Sequence, residues 1–255
     1  MKQLETKNQK LITNVLDFYR EIGIDSTVYD KFFCEAPSLF EDNKKNIRPE
    51  INHHSKKNKE LQIKELEHSF KIFEGCKLKK TSTNFVSFYG NTNSKLLIID
   101  GPPDEEEDKK GVPFVSSKGL LFEKMLNAIE LKIEKTFIVK SIPWRPPGNR
   151  YPSNEEIKIC RPFILNLINL IKPRIIVCLG EVSTNQILEL DESIIKLRGK
   201  WRFLQSKITN DFDHLNYEIS VLPTLNITHL IERPELKKYA WEDMKLFRDK
   251  IKEIS

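Results

Sequence analysis

Four short runs rich in isoleucine and valine constrain this chain most: "KLLIID" (residues 95–100), "TFIVKS" (136–141), "RIIVCL" (174–179) and "EISVLP" (218–223). None alternates apolar with polar residues, so each reads as a strand buried on both faces. Helical periodicity fills the intervals, at 118–131, 154–171 and 181–190, and again at 234–254. Strand, helix, strand at this spacing predicts parallel pairing, because a parallel partner needs a long crossover connection. The expected fold is therefore a three-layer α/β/α sandwich with a central parallel four-stranded sheet. Sheets of this kind carry their sites beyond the carboxyl ends of the strands. The segments there are "DGPPDEEEDKKGVPF", "SIPWRPPGNRYP", "GEVSTN" and "PTLNITHLIERP". A single glycine in "CLGEVSTN" is no dinucleotide fingerprint.

The chain before the sheet has a different character. "LITNVLDFYREIGI" sets Leu11, Val15, Phe18 and Ile22 at helical spacing, which predicts an amphipathic helix. "NKKNIRPEINHHSKKNK" (43–59) is polar and basic without periodicity, and predicts a flexible linker in which His53 and His54 are solvated. The expected organisation is a helical extension over 1–42, this linker, and a domain over 60–255 that opens with a helix near 60–73.

A hydrophobic content of 39% suits a globular core, and no apolar run approaches the ~20 residues of a membrane span. The opening "MKQLETKNQK" lacks the apolar core of a signal peptide, so a cytoplasmic location is expected. Cys34, Cys76, Cys160 and Cys178 lie far apart and form no CxxC pair, against a disulfide framework or a locally spaced zinc site. The net charge of +5 is compatible with a polyanionic partner but does not require one.

One loop stands out: "WRPPGNRYPSNEEI", a stiff basic segment between a strand and an acidic helix start. Together with "GCKLKKTSTNFV", "GPPDEEEDKKGVPFVSSKGLLFEKML", "CRPFI", "IKPRIIVCLG", "IIKLRGKW" and "ERPELKKYAWEDM", in that order, it resembles the iron–sulfur-bearing bacterial and archaeal uracil-DNA glycosylases (family 4). The resemblance runs from about Phe73 to the C-terminus. It implies base-excision repair of single- or double-stranded DNA by a monomer, through hydrolysis of the N-glycosidic bond of a flipped uracil or other damaged base. The alternative it leaves open is a DNA-binding protein of the same fold without catalysis.

The resemblance also implies roles for particular residues. Phe114 matches the aromatic that stacks on the base, and Gly101 and Lys140 fall at the base pocket. Lys140 stands where the family has an asparagine that bonds uracil O4 and N3–H together, and an ammonium offers donors only. Asn226 stands where the family has a histidine that supports O2, with His229 three positions on. The "GPPDEEED" loop lacks the glutamate usual after its first glycine, so Glu105, Glu106, Glu107 or Asp108 is expected to supply a catalytic carboxylate. Arg145, Asn149, Arg150 and Arg198 are the expected DNA contacts, arginines on a stiff loop meeting phosphates at little entropic cost. Of the family's four cluster cysteines, Cys76 and Cys160 match two, while Phe73 and Trp144 occupy the others. Neither can ligate iron, so no cofactor or metal is expected.

Overall fold

A computed structural model describes residues 54–204 and 218–254. The predicted N-terminal helix, the extension over 1–42 and most of the linker lie outside these residues. The described chain falls into two units, one ending at Gly75 and one beginning at Cys76. In the first, helix α1 spans His54–Ile72 and so takes in the end of the expected linker. Ile63, Leu66 and Phe70 are buried along one stripe of it, at the spacing that brings residues onto one helix face.

The second unit is built on β1 (Tyr89–Gly90), β2 (Leu96–Asp100), β3 (Phe137–Lys140), β4 (Ile175–Leu179), β5 (Arg202–Leu204) and β6 (Ile219–Thr224). Its sheet runs in the order β1-β3-β2-β4-β6-β5. The four predicted strands are β2, β3, β4 and β6, all parallel and all fully buried. The expected four-stranded sheet is thus the centre of a six-stranded one. Strands β1 and β5 close its two edges antiparallel. Both are short and largely exposed, so neither leaves an apolar run to be recognised.

The helices are α2 (Glu105–Lys110), α3 (Ser116–Asn127), α4 (Asn154–Ile171), α5 (Glu181–Leu188), α6 (Ile194–Leu197), α7 (Ile227–Glu232) and α8 (Lys237–Ile254). Alternate strand residues face opposite sides of the sheet. Leu96, Ile98, Ile138, Ile175, Val177 and Leu222 form one core with Phe122 and Leu126 of α3 and Met244 and Phe247 of α8. Leu97, Ile99, Ile176 and Cys178 are buried toward the other face, as are Cys160, Ile164 and Leu167 of α4. Helix α3 stops short of the predicted end at 131 because Glu130 adopts a left-handed backbone (φ 61°). Ile129 and Leu131 are nonetheless buried, so the apolar pattern outlasts the helix. Among the described residues no helix is long and apolar enough to cross a membrane.

Register decides where chemistry can gather. Asp100, the last residue of β2, pairs with Lys140 at the end of β3 and with Leu179 at the end of β4. Thr224 lies level with Leu179. The carboxyl ends of the four central strands therefore finish together, and the loops that follow them share one end of the sheet.

Candidate functional site

At that end lies a buried ionic quartet. The Lys140 ammonium donates to Asp100 Oδ2 at 2.7 Å and to Glu107 Oε2 at 2.5 Å. Lys118, on the first turn of α3, reaches the same two oxygens at 2.7 and 3.3 Å. All four side chains are sealed from solvent. Ions at such depth persist only when paired and hydrogen-bonded. Burial alone would push the pKa of Asp100 up, but the ammoniums of Lys118 and Lys140 outweigh it and hold the carboxyl below its ordinary value. The same opposition acts on Glu107: burial raises its pKa, Lys140 and Lys118 lower it, and the net shift is downward. Burial disfavours the Lys118 ammonium too, yet Asp100 and Glu107 leave its pKa raised. The quartet is therefore two carboxylates and two ammoniums, neutral as a set.

Glu107 also organises the loop above. It completes a capping box at the start of α2: Asp104 accepts from the Glu107 N–H, and Glu107 Oε2 accepts from the Asp104 N–H. Its other oxygen accepts from the Phe114 N–H at 2.7 Å. Phe114 adopts a left-handed backbone (φ 54°), a conformation costly for a non-glycine residue and sustained here by that bond. Gly119 is required beneath it, since a Cβ there would lie 1.8 Å from the Phe114 carbonyl oxygen. The Phe114 ring stacks on Phe122 with centroids 4.4 Å apart, and the ammoniums of Lys118 and Lys140 lie over it at 5.5 and 5.4 Å. The ring remains partly exposed.

Asn226 reaches the quartet from the loop after β6. Its Oδ1 caps α7 by accepting from the Thr228 N–H at 2.8 Å, so its Nδ2 is the group turned to Asp100, 3.5 Å from Oδ1. Gly180 makes room for it: at φ 93°, a Cβ on residue 180 would sit 2.9 Å from the Asn226 Cβ. Gly101 N–H donates to Asp100 Oδ1 at 2.8 Å, fixing the turn out of β2.

The structure thus brings Gly101, Glu107, Phe114, Lys140 and Asn226 together and separates the remaining candidates from them. Glu105 and Glu106 face solvent on α2, both paired with Lys109. Asp108 is buried but turned away, accepting from the backbone N–H groups of Thr83 and Asn84. His229 is exposed on α7. Arg145 holds Asn149 Oδ1 at 2.7 Å and Glu105 at 3.3 Å. Arg150 forks onto Glu156 at 2.6 and 2.9 Å, within the capping box that starts α4. Arg198 binds Asp243 of α8, whose carboxylate also accepts from the Thr224 hydroxyl. Burial raises the pKa of Asp243 despite these partners.

Asp100 and Lys118 are members of the buried quartet that sequence reasoning missed. A signal existed for the first: "KLLIID" and "TFIVKS" each place one charge, of opposite sign, after a wholly apolar stretch. Two parallel strands ending level would bring those charges into contact. Lys118 carries no such mark, because a lysine on the first turn of a helix is ordinarily solvated.

A family model described as the uracil DNA glycosylase superfamily matches residues 87–245. The chain is 35% identical to the Type-4 uracil-DNA glycosylase of Sulfurisphaera tokodaii, over 68% of this chain and 78% of the relative. It is 34% identical to that of Saccharolobus solfataricus, over 68% and 79%. For the Type-4 uracil-DNA glycosylase of Thermotoga maritima the values are 32%, 69% and 88%.

These relatives correct the expectation that no cofactor is involved. They carry the Type-4 name, and enzymes of that type are the iron–sulfur-bearing group, so the likeness gives no support to the absence of a cofactor. Cys76 and Cys160 share a hydrogen bond, which lowers the pKa of Cys76, whereas burial drives that of Cys160 up. They bring two thiols together. The matched position at Trp144 is a buried indole, Cys178 is buried within β4, and Cys34 lies outside the described residues. The described residues thus supply two of the four thiolates such a cluster takes. That is an incomplete set.

Proposed function

Because the chain belongs to the uracil-DNA glycosylase superfamily, we propose that it removes uracil or a related damaged base from DNA by hydrolysing the N-glycosidic bond. The observation that carries this reading is the convergence of Phe114, Lys140 and Asn226 on one buried polar site at the carboxyl ends of the sheet. A flipped base needs an aromatic face to stack on and fixed polar groups to meet its edge. Phe114 supplies the face. The Asn226 amide, its oxygen tied to the cap of α7, presents N–H donors where charge gathers on O2 as the C1′–N1 bond breaks. A water oxygen then bonds C1′, and the water's proton balances the departing base anion. Glu105 and Glu106, exposed at the start of α2 and paired with Lys109, are the carboxylates proposed to position that water.

DNA binding on the same side follows from the "RPPGNR" loop. Arg145 holds Asn149 and Glu105, and Arg150 holds Glu156, in a fixed arrangement that supports phosphate contact with little further ordering. Arg198 is braced against α8, so its proposed part is to hold the end of β6 rather than to meet DNA. Action as a monomer is part of the same proposal.

The test is incubation with single- and double-stranded oligonucleotides carrying one uracil, followed by alkaline cleavage at abasic sites. Scission at the uracil position and nowhere else is expected. Retained DNA binding with no scission would favour the alternative, a DNA-binding protein of the same fold without catalysis.

A further inference from the structure

Glu107 stands between the buried ions and the ring on which a base would stack. Its Oε2 gathers three donors: the Lys140 ammonium at 2.5 Å, the Asp104 N–H at 3.0 Å and the Lys118 ammonium at 3.3 Å. Its Oε1 accepts from the Phe114 N–H at 2.7 Å. Donors thus approach both oxygens, and an ionised carboxylate is the group that accepts at both. A glutamine of the same length offers one acceptor and one donor, so it would serve one side and oppose the other.

The two ends of this link differ in firmness. Lys140 is the last residue of β3 and Lys118 lies on the first turn of α3, so the anchor of Oε2 belongs to the sheet and a helix. Phe114 lies on the loop between α2 and α3. Its left-handed backbone (φ 54°) is a state that a non-glycine residue keeps only where its surroundings over-determine it. The Glu107 bond therefore carries the position of the sheet out to the loop. Lys140, sealed from solvent, bears on the ring through Glu107 rather than by touching a base.

We propose that Glu107 is a positioning residue for base removal: anchored at Oε2 by Lys140 and Lys118, it sets through Oε1 the place of the Phe114 ring against a flipped base. The proposal rests on the glycosylase function argued above. Glu107 itself meets no substrate, since its side chain is buried.

The experiment compares wild type, Glu107→Asp, Phe114→Ala and the double variant, with the folding of each checked by urea denaturation. Glu107→Asp keeps the charge that the ammoniums need but is one carbon too short to reach the Phe114 N–H as well. Single-turnover excision of uracil from single-stranded DNA should fall at least ~10-fold in Glu107→Asp, about as far as in Phe114→Ala. Affinity for the same oligonucleotide with a stable abasic analogue at that position, which offers no base to stack, should be retained. The double variant should be no slower than Phe114→Ala alone, because a ring that is absent cannot be misplaced. Losses that multiply in the double variant, or a wild-type rate in Glu107→Asp, would overturn the positioning role and leave the glycosylase reading intact. A further measurement needs no variant: in wild-type protein labelled with 15N-phenylalanine, the Phe114 amide proton should exchange slowly with solvent. Fast exchange would also overturn the role. No uracil excision by the wild type would overturn the glycosylase reading, and the positioning role with it.

Discussion

Replacing Lys140 by methionine should leave a folded chain with a buried carboxylate that has lost its ammonium partner. The side chain is similar in length, so packing changes little and electrostatics dominates. Lys140 makes contacts of 2.7 and 2.5 Å to Asp100 and Glu107. At an effective dielectric of about 20, each attraction is worth roughly 6 kcal/mol before desolvation. Against their loss stand the relief of repulsion from Lys118 and several kcal/mol of desolvation no longer needed for the ammonium. The net cost expected for breaking such a buried set by removing one partner is about 3–5 kcal/mol. Two carboxylates then share one ammonium, so one of them should take up a proton, its folded pKa rising above its unfolded value. A group shifted that way stabilises below its unfolded pKa and loses that contribution as pH rises through the folded one. The Lys140→Met chain should therefore be least impaired near pH 4 and increasingly impaired toward pH 7. The wild type should behave oppositely. Its Asp100 and Glu107 are held low, so they stabilise above the ordinary carboxylate range and that support disappears as pH falls through their lowered values. Urea denaturation of both chains across pH 4–8 reads this directly. Adding Glu107→Gln to Lys140→Met should recover much of the stability at pH 7. A loss below ~1 kcal/mol at pH 7, or one that does not depend on pH, would refute the reasoning.

Three further outcomes follow from the geometry. Gly119→Ala would stabilise an ordinary helix by ~1 kcal/mol, but here the added carbon meets the Phe114 carbonyl; excision should fall at least ~10-fold on a shifted Phe114 loop, checked by single-turnover kinetics. Arg198→Ala strands Asp243 in the core and should destabilise by about 3–5 kcal/mol, read by urea denaturation, with little change in the salt dependence of DNA binding. Arg150→Ala should weaken binding to all sequences alike and lower the salt slope by about one, measured by fluorescence anisotropy across salt concentrations.

Much of this molecule is legible in its sequence because burial on both faces leaves an unmistakable trace. The runs at 95–100, 136–141, 174–179 and 218–223 became β2, β3, β4 and β6 almost to the residue. The edge strands did not show themselves, since Tyr89–Gly90 and Arg202–Leu204 are too short and exposed to carry a pattern. At the candidate site, Phe114, Lys140 and Asn226 were singled out through the loops they share with a family. The partners that give Lys140 its meaning were not. A sequence states that a lysine replaces an amide; only strand register reveals that an aspartate stands 2.7 Å away to complete it. Similarly, the acidic run 105–108 reads as one feature, yet the fold separates it into two exposed carboxylates, one quartet member and one loop anchor.

The central claim is that this pocket breaks the bond between uracil and DNA, and the released base tests it most directly. Wild-type protein and the Phe114→Ala variant would each be mixed in excess with uracil-containing single-stranded DNA, and free uracil quantified by mass spectrometry over time. Stoichiometric uracil from the wild type, with release by the variant slowed at least ~10-fold, is the expected result, since base–aromatic stacking is worth roughly 1–3 kcal/mol. No free uracil from folded, DNA-bound wild-type protein, or equal release from both chains, would contradict it.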